Sequence, residues 1–477
     1  MNLLAPFLDN VERWSARTAI VAPQGDSATF GALAERSERL AARWRGQGIA
    51  PGDRVLLAMP LGVALYAAIA ALWRIGAVVV FPEPALGLKG LRHAAKATAP
   101  KAFLSDGWYR ALNLLPELWR IPLRLRVDEG AVGTDFVYEA ARDHPALISF
   151  TSGSTGAPKA IVRSHGFLAA QNSCVGDLLR VADERQTDLV AFPVFVIANL
   201  GLGVSSVLPD WKLTRHDLAS GEAIARLVDE RGVTRALLPP SICEILAEGP
   251  RMRELRTVLT GGGPVFPDVM QRLAERLATK DIVVVYGSTE AEPIAHQRFD
   301  EISAADWTLM REGGGLLAGK PIPQIRMTLI DDEIVVTGDH VNKAYLDRAA
   351  DAETKLDRDG EIWHRTGDAG RIDDQGRLWL LGRKSARAGR FFPFEVETAA
   401  RLWPGVRQVA LIPGTNPPVL AIAGDAAKRT LWAARAEALG GLNVMTLDAI
   451  PLDRRHRSKV DYAELKRLAL SHGRSGA

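Results

Sequence analysis

The chain has 477 residues, 47% apolar and 24% charged, with a formal net charge of +3. That length exceeds what one hydrophobic core serves and calls for at least two domains; the composition excludes a disordered or fibrous chain. Two cysteines, Cys174 and Cys243, exclude a disulfide framework and a Cys-based metal site, and no basic-then-apolar leader opens the sequence, so a reducing cytoplasm is the expected compartment.

In chain order, the first strong feature is the apolar stretch from Leu61 to Phe81, interrupted by Arg74 and Gly76. It reads as a buried helix ending near Gly76 and a strand over 77–81, not as a membrane span. Further strand-like runs at 55–59, 189–192, 236–238, 257–260 and 282–286 alternate with amphipathic stretches such as 223–231 and 267–277. This alternation predicts an α/β fold of mostly parallel sheets covered by helices, in which ligands bind beyond the carboxyl ends of strands.

Three turns at such ends carry chemistry. After the strand-like run 146–150 comes Thr151-Ser152-Gly153-Ser154-Thr155-Gly156-Ala157-Pro158-Lys159. Backbone N–H groups, hydroxyls and one cation make a phosphate cradle, although a solvated Ser/Thr/Gly turn has the same composition. The spacing is not that of the common P-loop, and Pro158 argues against a helix directly behind it. Gly261-Gly262-Gly263-Pro264 would let a flat ring lie on bare backbone, or is a plain turn. Tyr286-Gly287-Ser288-Thr289-Glu290 combines an aromatic face, a close-approach glycine, a hydroxyl and a carboxylate suited to a hard cation. The alternative there is a helix N-terminus, with Ser288 as cap and Glu290 in the first turn.

Asp368, after Thr366-Gly367, is a turn former or an acceptor for two ribose hydroxyls. From Arg383 to Ala477 the chain carries 16 Lys/Arg against 8 Asp/Glu, whereas residues 1–382 carry 43 against 48. A short basic module behind a mildly acidic body suits a lid over a nucleotide. No aromatic interleaving or lysine tract supports nucleic-acid binding. Near the end, Asp453-Arg454-Arg455-His456-Arg457-Ser458-Lys459 is a dense cationic loop or a solvated face, followed by a helix-like stretch from Tyr462.

Thr151–Lys159, Gly261–Pro264, Tyr286–Glu290, Thr366–Asp368, Gly382-Arg383 and Lys459, in that order, resemble the motifs of the adenylate-forming superfamily of acyl-CoA and aryl-CoA ligases, luciferases and peptide-synthetase adenylation domains. The resemblance covers nearly the whole chain. It implies an N-terminal ATP- and acid-binding domain, 1–382, and a small α+β C-terminal mobile lid, 383–477. It further implies ATP-dependent conversion of a carboxylic acid to an acyl-adenylate, with Mg²⁺ as cofactor and transfer to the thiol of CoA or of an acyl-carrier-protein pantetheine. In this reading Thr151, Ser152, Gly153, Ser154, Thr155, Gly156 and Lys159 hold phosphates; Gly261, Gly262, Gly263, Tyr286 and Gly287 surround adenine; Asp368 and Arg383 bind ribose. Thr289, Glu290 and Lys459 are catalytic, with Glu290 also holding the metal.

The acid would lie against Phe192, Phe195, Asn199 and Gly201 and the residues flanking Tyr286; that apolar lining favours a fatty or aryl acid, and Glu292 is a candidate to bind an amino group. His165, His296 and His364 are expected to be structural. Phe192–Phe195, Gly201–Gly203, Ser206–Asp210, Trp363–Arg365, Gly376–Trp379 and Asp453–His456 also resemble the β-lactone synthetases of bacterial olefin biosynthesis. That likeness implies the alternative in which a β-hydroxy acid, once adenylated, cyclises with loss of AMP. In thiol-transferring relatives a glycine-containing loop after the Gly-Arg pair reaches the site; here only Lys384 to Phe392 separate Arg383 from Pro393. A non-catalytic nucleotide-binding protein is the alternative of another class.

Overall fold

A computed structural model describes residues 2–82, 86–128, 133, 135–151, 158–179, 186–213, 215–452 and 460–474. Among these the strands form sheets of 14, 6 and 3 members. The parallel half of the largest sheet runs, in spatial order, through Asp281–Ser288, Thr257–Gly261, Arg235–Leu238, Thr187–Val190, Ser205–Val207 and Thr18–Val21. These short Val/Ile/Leu-rich strands are apolar on both faces because helices cover both. One face packs on Gly221–Arg231, Pro240–Glu248 and Pro267–Ala274 through Ile224, Val228, Ile242 and Val269. The other packs on His165–Leu178 and Pro193–Leu202 through Val175, Ala198, Leu259 and Val283.

The six-stranded sheet follows the order Leu123–Leu125, Ala102–Ser105, Arg54–Ala58, Val78–Val80, Pro145–Phe150 and Ala160–Ser164, all parallel except the last. The apolar stretch resolves as its sequence indicates: a helix Val63–Ile75, Gly76 in the left-handed C-cap, then the strand Val78–Val80. Among the described residues no helix is long and apolar enough to cross a membrane.

The α/β class holds, but antiparallel pairings equal the parallel ones across these two sheets. Beyond Asp281–Ser288 the large sheet turns antiparallel through Ala291–Arg298, Leu316–Pro321, Leu378–Arg383, Glu361–Ile372, Glu333–Thr337 and Arg326–Ile330. Two of these strands, Arg326–Ile330 and Glu361–Ile372, are only partly buried, and they lack the continuous apolar runs that betray the parallel ones.

The smallest sheet, Val406–Leu411, Val419–Gly424 and Asn443–Leu447, carries the helices Pro393–Arg401, Arg429–Gly440 and Tyr462–Arg474. It meets the rest of the chain at Arg401, which is buried and pairs with Asp268 at 2.8 Å and Glu244 at 3.1 Å, and at the edge-to-face rings of Phe394 and Phe266.

Candidate active site

Two neighbouring strands set the first corner of the site. Gly261 ends one and lies opposite Val285 on the next; a Cβ at Gly261 would meet the Val285 carbonyl at 2.4 Å, so the strand approach itself demands glycine. Gly262 follows with φ +78°, exposed beside the Phe192 ring, and Gly263 continues the turn. One residue beyond Val285, the Tyr286 hydroxyl donates to Asp368 Oδ2 at 2.9 Å. Asp368 stands directly across the antiparallel ladder from Arg383, whose Nε lies 3.2 Å from Asp368 Oδ1 and whose Nη1 donates to the Thr366 carbonyl at 2.8 Å. Gly367 sits at φ +74°, and a Cβ on it would meet that guanidinium at 3.1 Å. The Asp368 carboxylate holds the Arg383 pKa above its ordinary value, and burial together with Asp368 pushes the Tyr286 phenol well up. A carboxylate fixed in this way, and still partly open to solvent, can accept further hydroxyl donors.

The second corner begins four residues on. Ser288 pairs with Ala291 across a tight antiparallel hairpin, so Thr289 and Glu290 form a β-turn tip; the alternative of a helix N-terminus capped by Ser288 is corrected. Gly287 is required by the same hairpin, since a Cβ there would meet the Ala291 carbonyl at 2.9 Å. The Ser288 hydroxyl is buried without a partner among the described residues, Thr289 is exposed at the tip, and the Thr289 carbonyl accepts from Arg163 Nη2 at 2.7 Å. Glu290 Oε1 accepts from the Tyr345 hydroxyl at 2.8 Å. Burial opposes the charge of Glu290. An imidazolium at His364, the Tyr345 hydroxyl and Lys355 more than offset it, holding the carboxyl below its ordinary range.

His364 is itself pushed down to about 4 by burial and by Lys355, so near neutral pH its ring is uncharged and Lys355 is the cation beside Glu290. Burial lowers Lys355 to about 8 even against the pull of Glu290 and Asp351. Lys355 Nζ donates to the Asn342 carbonyl at 2.6 Å and sits 3.2 Å from His364 Nδ1.

The 151–159 loop is closed at its neck: Thr151 N donates to the Lys159 carbonyl at 2.9 Å, and the chain returns as the strand Ala160–Ser164, not as a helix. Lys159 Nζ reaches Glu353 at 2.8 Å and shares the Tyr345 ring with Lys355, at 5.4 and 4.9 Å from its centre. The structure thus gathers Thr151, Lys159, Thr289 and Glu290 at one end and Tyr286, Asp368, Arg383 and the 261–263 glycines at the other. Ser152, Gly153, Ser154, Thr155, Gly156 and Lys459 lie outside the described residues. On either side of the latter's segment Leu452 and Val460 form a β-bridge, and the Tyr462 phenol lies within electrostatic reach of Arg383.

Phe192 and Phe195 pack edge to face at 5.8 Å in an apolar cluster with Val285. Asn199, on the next helical turn, is fully buried, and its amide donates to Asp188 at 3.0 Å and Ser206 at 3.1 Å. Gly201 faces the first helix of the chain: its carbonyl accepts from Asn10, and a Cβ on it would meet Pro6 at 3.5 Å. The amide of Asn199 and the backbone of Gly201 are therefore engaged in packing, while the two phenylalanines stand next to the Gly262 rim. Glu292 is half-buried, its carboxyl pushed up by burial against the pull of Arg163. His165 is structural as expected, accepting from the Leu3 N–H at 3.1 Å with no exposure. His364 is not merely structural, since it stands beside Lys355 and Glu290.

Lys355 and Tyr345 are missing from the sequence reading, where His364 stands only as a structural residue. A signal for the Lys355–His364 pair exists: Asp359-Gly360, both at positive φ, is a two-residue hairpin turn, and counting back from it pairs Lys355 with His364. Among the described residues no group of three or more His, Cys, Asp or Glu gathers around a metal position. A Mg²⁺ carried on phosphates asks less of a protein, and one ionised carboxylate such as Glu290 fits it.

The sequence profile described as AMP-binding enzyme matches residues 7–346, and the chain belongs to that family of adenylate-forming enzymes. Olefin beta-lactone synthetase of Xanthomonas campestris pv. campestris is 28% identical, over 92% of this chain and 90% of its own. Feruloyl-CoA synthase of an Amycolatopsis species is 30% identical over 85% of each. In fold, the chain matches O-succinylbenzoate coenzyme A synthetase from Bacillus subtilis in complex with AMP with a TM-score of 0.79. That match covers 97% of this chain and 98% of that one, at 21% identity.

Proposed function

We propose that this enzyme converts ATP and an apolar carboxylic acid, fatty or aryl, into an acyl-adenylate and pyrophosphate, and passes the acyl group to the thiol of CoA or of a carrier protein. The observation that carries the reading is that one five-residue turn, 286–290, joins a hydroxyl-accepting corner to a phosphate-type corner. At the first, Asp368 and Arg383 would take the ribose while Tyr286 and the 261–263 backbone flank adenine. At the second, Lys159 and Lys355 would face the β- and γ-phosphates, with the Thr289 hydroxyl between the corners at the α-phosphate. Glu290 would hold the Mg²⁺, which supplies charge neutralisation on the phosphates.

The acid's carboxylate oxygen attacks the α-phosphorus, the bond to the bridging oxygen breaks, and pyrophosphate leaves with that electron pair. What the protein supplies is in-line placement and fixed positive charge. Lys459, brought in by the C-terminal module, would lie between carboxylate and α-phosphate, and Gly382-Arg383 would be its hinge. The unhydroxylated walls at Phe192, Phe195 and Val285 support an apolar acid. Two buried free thiols suit the cytoplasm.

A second reading, in which a β-hydroxyl of the substrate displaces AMP and closes a β-lactone, is favoured by the shape of Lys384–Phe392. These residues form one 3-10 turn and a tight Ala388–Phe391 bridge packed on Pro418, short of any extended loop that could line a pantetheine channel. ATP–pyrophosphate exchange with a panel of fatty, hydroxy and aryl acids tests the first half-reaction; no exchange with any of them ends both readings. Product mass spectrometry from a β-hydroxy acid with and without CoA separates them: a thioester upholds thiol transfer, and loss of water with no thioester in either tube upholds cyclisation.

A further inference from the structure

Exposed apolar side chains scattered singly over a surface are ordinary, but clustered aromatic ones are not. Of the nine large apolar side chains exposed among the described residues, four fall between positions 88 and 119: Leu88, Trp108, Leu114 and Trp119. Trp108 is 70% exposed and Trp119 64%, while the other nine tryptophans of the chain are buried or half-buried. The 3-10 helix Gly107–Leu114 buries none of its eight residues, although five of them are apolar. An ion pair of 3.0 Å between Arg92 and Glu117 ties this segment to the helix Gly87–Thr98, so Leu88, Trp119 and the 107–114 turn belong to one edge of the six-stranded sheet.

The same edge is strongly basic. From Gly87 to Arg126 the chain has eight Lys/Arg against two Asp/Glu, inside a body, residues 1–382, whose balance is acidic. A cleft of about 610 Å³ opens here, lined by Arg110, Asn113, Trp119, Arg124 and Arg126. Arg124 donates from Nη1 to the Ile121 and Leu123 carbonyls and from Nη2 to the Leu118 carbonyl, and Arg110 pairs with Asp106 at 2.9 Å and Asp128 at 3.7 Å. Arg126, Arg120, Lys89 and Lys96 are exposed, and no ion pair is formed by any of them among the described residues.

We propose that this edge docks peripherally on an anionic membrane surface, with a lipid phosphate received at the arginine cleft and the indoles of Trp108 and Trp119 seated at headgroup depth. Tryptophan favours that interface because its ring is apolar and amphipathic in shape, and cations next to an anionic leaflet add their own attraction. Charge complementarity chooses the bilayer over a neutral apolar partner. The reading is independent of the acid and of the acyl acceptor. It has a spatial corollary: His93, on the Gly87–Thr98 helix, bonds to the Pro158 carbonyl at 2.7 Å, so the docking edge adjoins the 151–159 loop.

The test is flotation of the full-length protein with vesicles of phosphatidylcholine alone or mixed equally with phosphatidylglycerol. Binding to the mixed vesicles at low salt, lost with phosphatidylcholine alone and at high salt, is expected. Trp108→Ser/Trp119→Ser and, separately, Arg120→Glu/Arg126→Glu should each weaken it about tenfold or more while keeping the wild-type melting curve, since each cation near an anionic leaflet contributes about fivefold. Failure of the wild type to float with anionic vesicles at low salt overturns the proposal, as does equal flotation of both folded variants. Protection of the cleft by glycerol phosphate without flotation would make it a small-anion site, and capture of an acidic protein without flotation would make it a protein interface; either result also overturns it.

Discussion

Two carboxylate–arginine pairs in this molecule use the same chemistry for opposite ends. Asp188 and Arg235 are 0% and 5% exposed, and every donor around them is spent: Arg235 Nε and Nη2 reach the two carboxylate oxygens at 3.0 and 2.7 Å, and Gln186 and Asn199 add donors at 2.9 and 3.0 Å. Asp368 and Arg383 are 20% and 48% exposed, with their nearest oxygen–nitrogen contact at 3.2 Å and one tyrosine donor. The first pair is saturated and belongs to the core; the second is oriented but left with unused capacity, which is what a ligand requires. Saturation, not the presence of a charged pair, separates structure from site here.

Breaking the saturated pair should have the largest effect. Asp188→Ala leaves Arg235 buried without its counter-charge, at a cost of about 3–5 kcal/mol; a melting temperature equal to wild type would dissolve the distinction. On the other side, Lys459→Ala should slow ATP–pyrophosphate exchange about 100-fold, the scale of about 3 kcal/mol for one preorganised donor, without moving the melting curve. Exchange near the wild-type rate would return Lys459 to the solvated basic face. Asp368→Ala should raise the KM for ATP by about tenfold to 100-fold, with stability altered by less than about 1 kcal/mol, because its charge contacts are partly solvated. A large drop in stability would class it with Asp188.

Glu397 sharpens the contrast as a buried carboxyl without an arginine. Burial pushes it up to about 8, and its oxygen accepts the Leu411 N–H at 2.8 Å. Its folded pKa lies above the unfolded value, so the unfolded chain ionises first and stability falls as pH rises from about 4.5 to about 8. Glu397→Gln should therefore be more stable than wild type at pH above about 8 and equal to it near about pH 4, read from melts across that range. The smallest effect is expected at Lys355. With its pKa lowered to about 8, kcat/KM for ATP should decline above that pH in the wild type. Lys355→Met should lose a further few-fold, about 1 kcal/mol, and show no such limb.

The parallel strands and the turns at their ends were legible because both leave local marks. A strand covered on both faces is a continuous apolar run, and a backbone turned toward a ligand is glycine and hydroxyl. Asp281–Ser288 with its Tyr286–Glu290 turn is the clearest instance. The antiparallel half was not legible in the same way: Glu361–Ile372 mixes Glu, His, Arg and Asp because it is only partly buried and turns His364 and Asp368 toward Lys355 and Tyr286. Lys355 and His364 are nine residues apart in sequence and meet only through ladder register, which the Asp359-Gly360 turn alone announces. Asn199 misled for the converse reason. Its helix is apolar, so a lone amide suggested a ligand contact, whereas its partners Asp188 and Ser206 lie on separate strands.

Lys159 rests on Glu353, a carboxylate 70% exposed to water, at 2.8 Å. Such a surface pair is worth about 0–1 kcal/mol, so the lysine is parked and not bound. Under the proposed function, an incoming triphosphate takes over the ammonium at almost no cost, and departing pyrophosphate gives it back. Glu353 then acts as a placeholder that receives the lysine between turnovers: neutralising it should tighten ATP and pyrophosphate alike, by no more than about fivefold, and so leave the balance of the first step where it was.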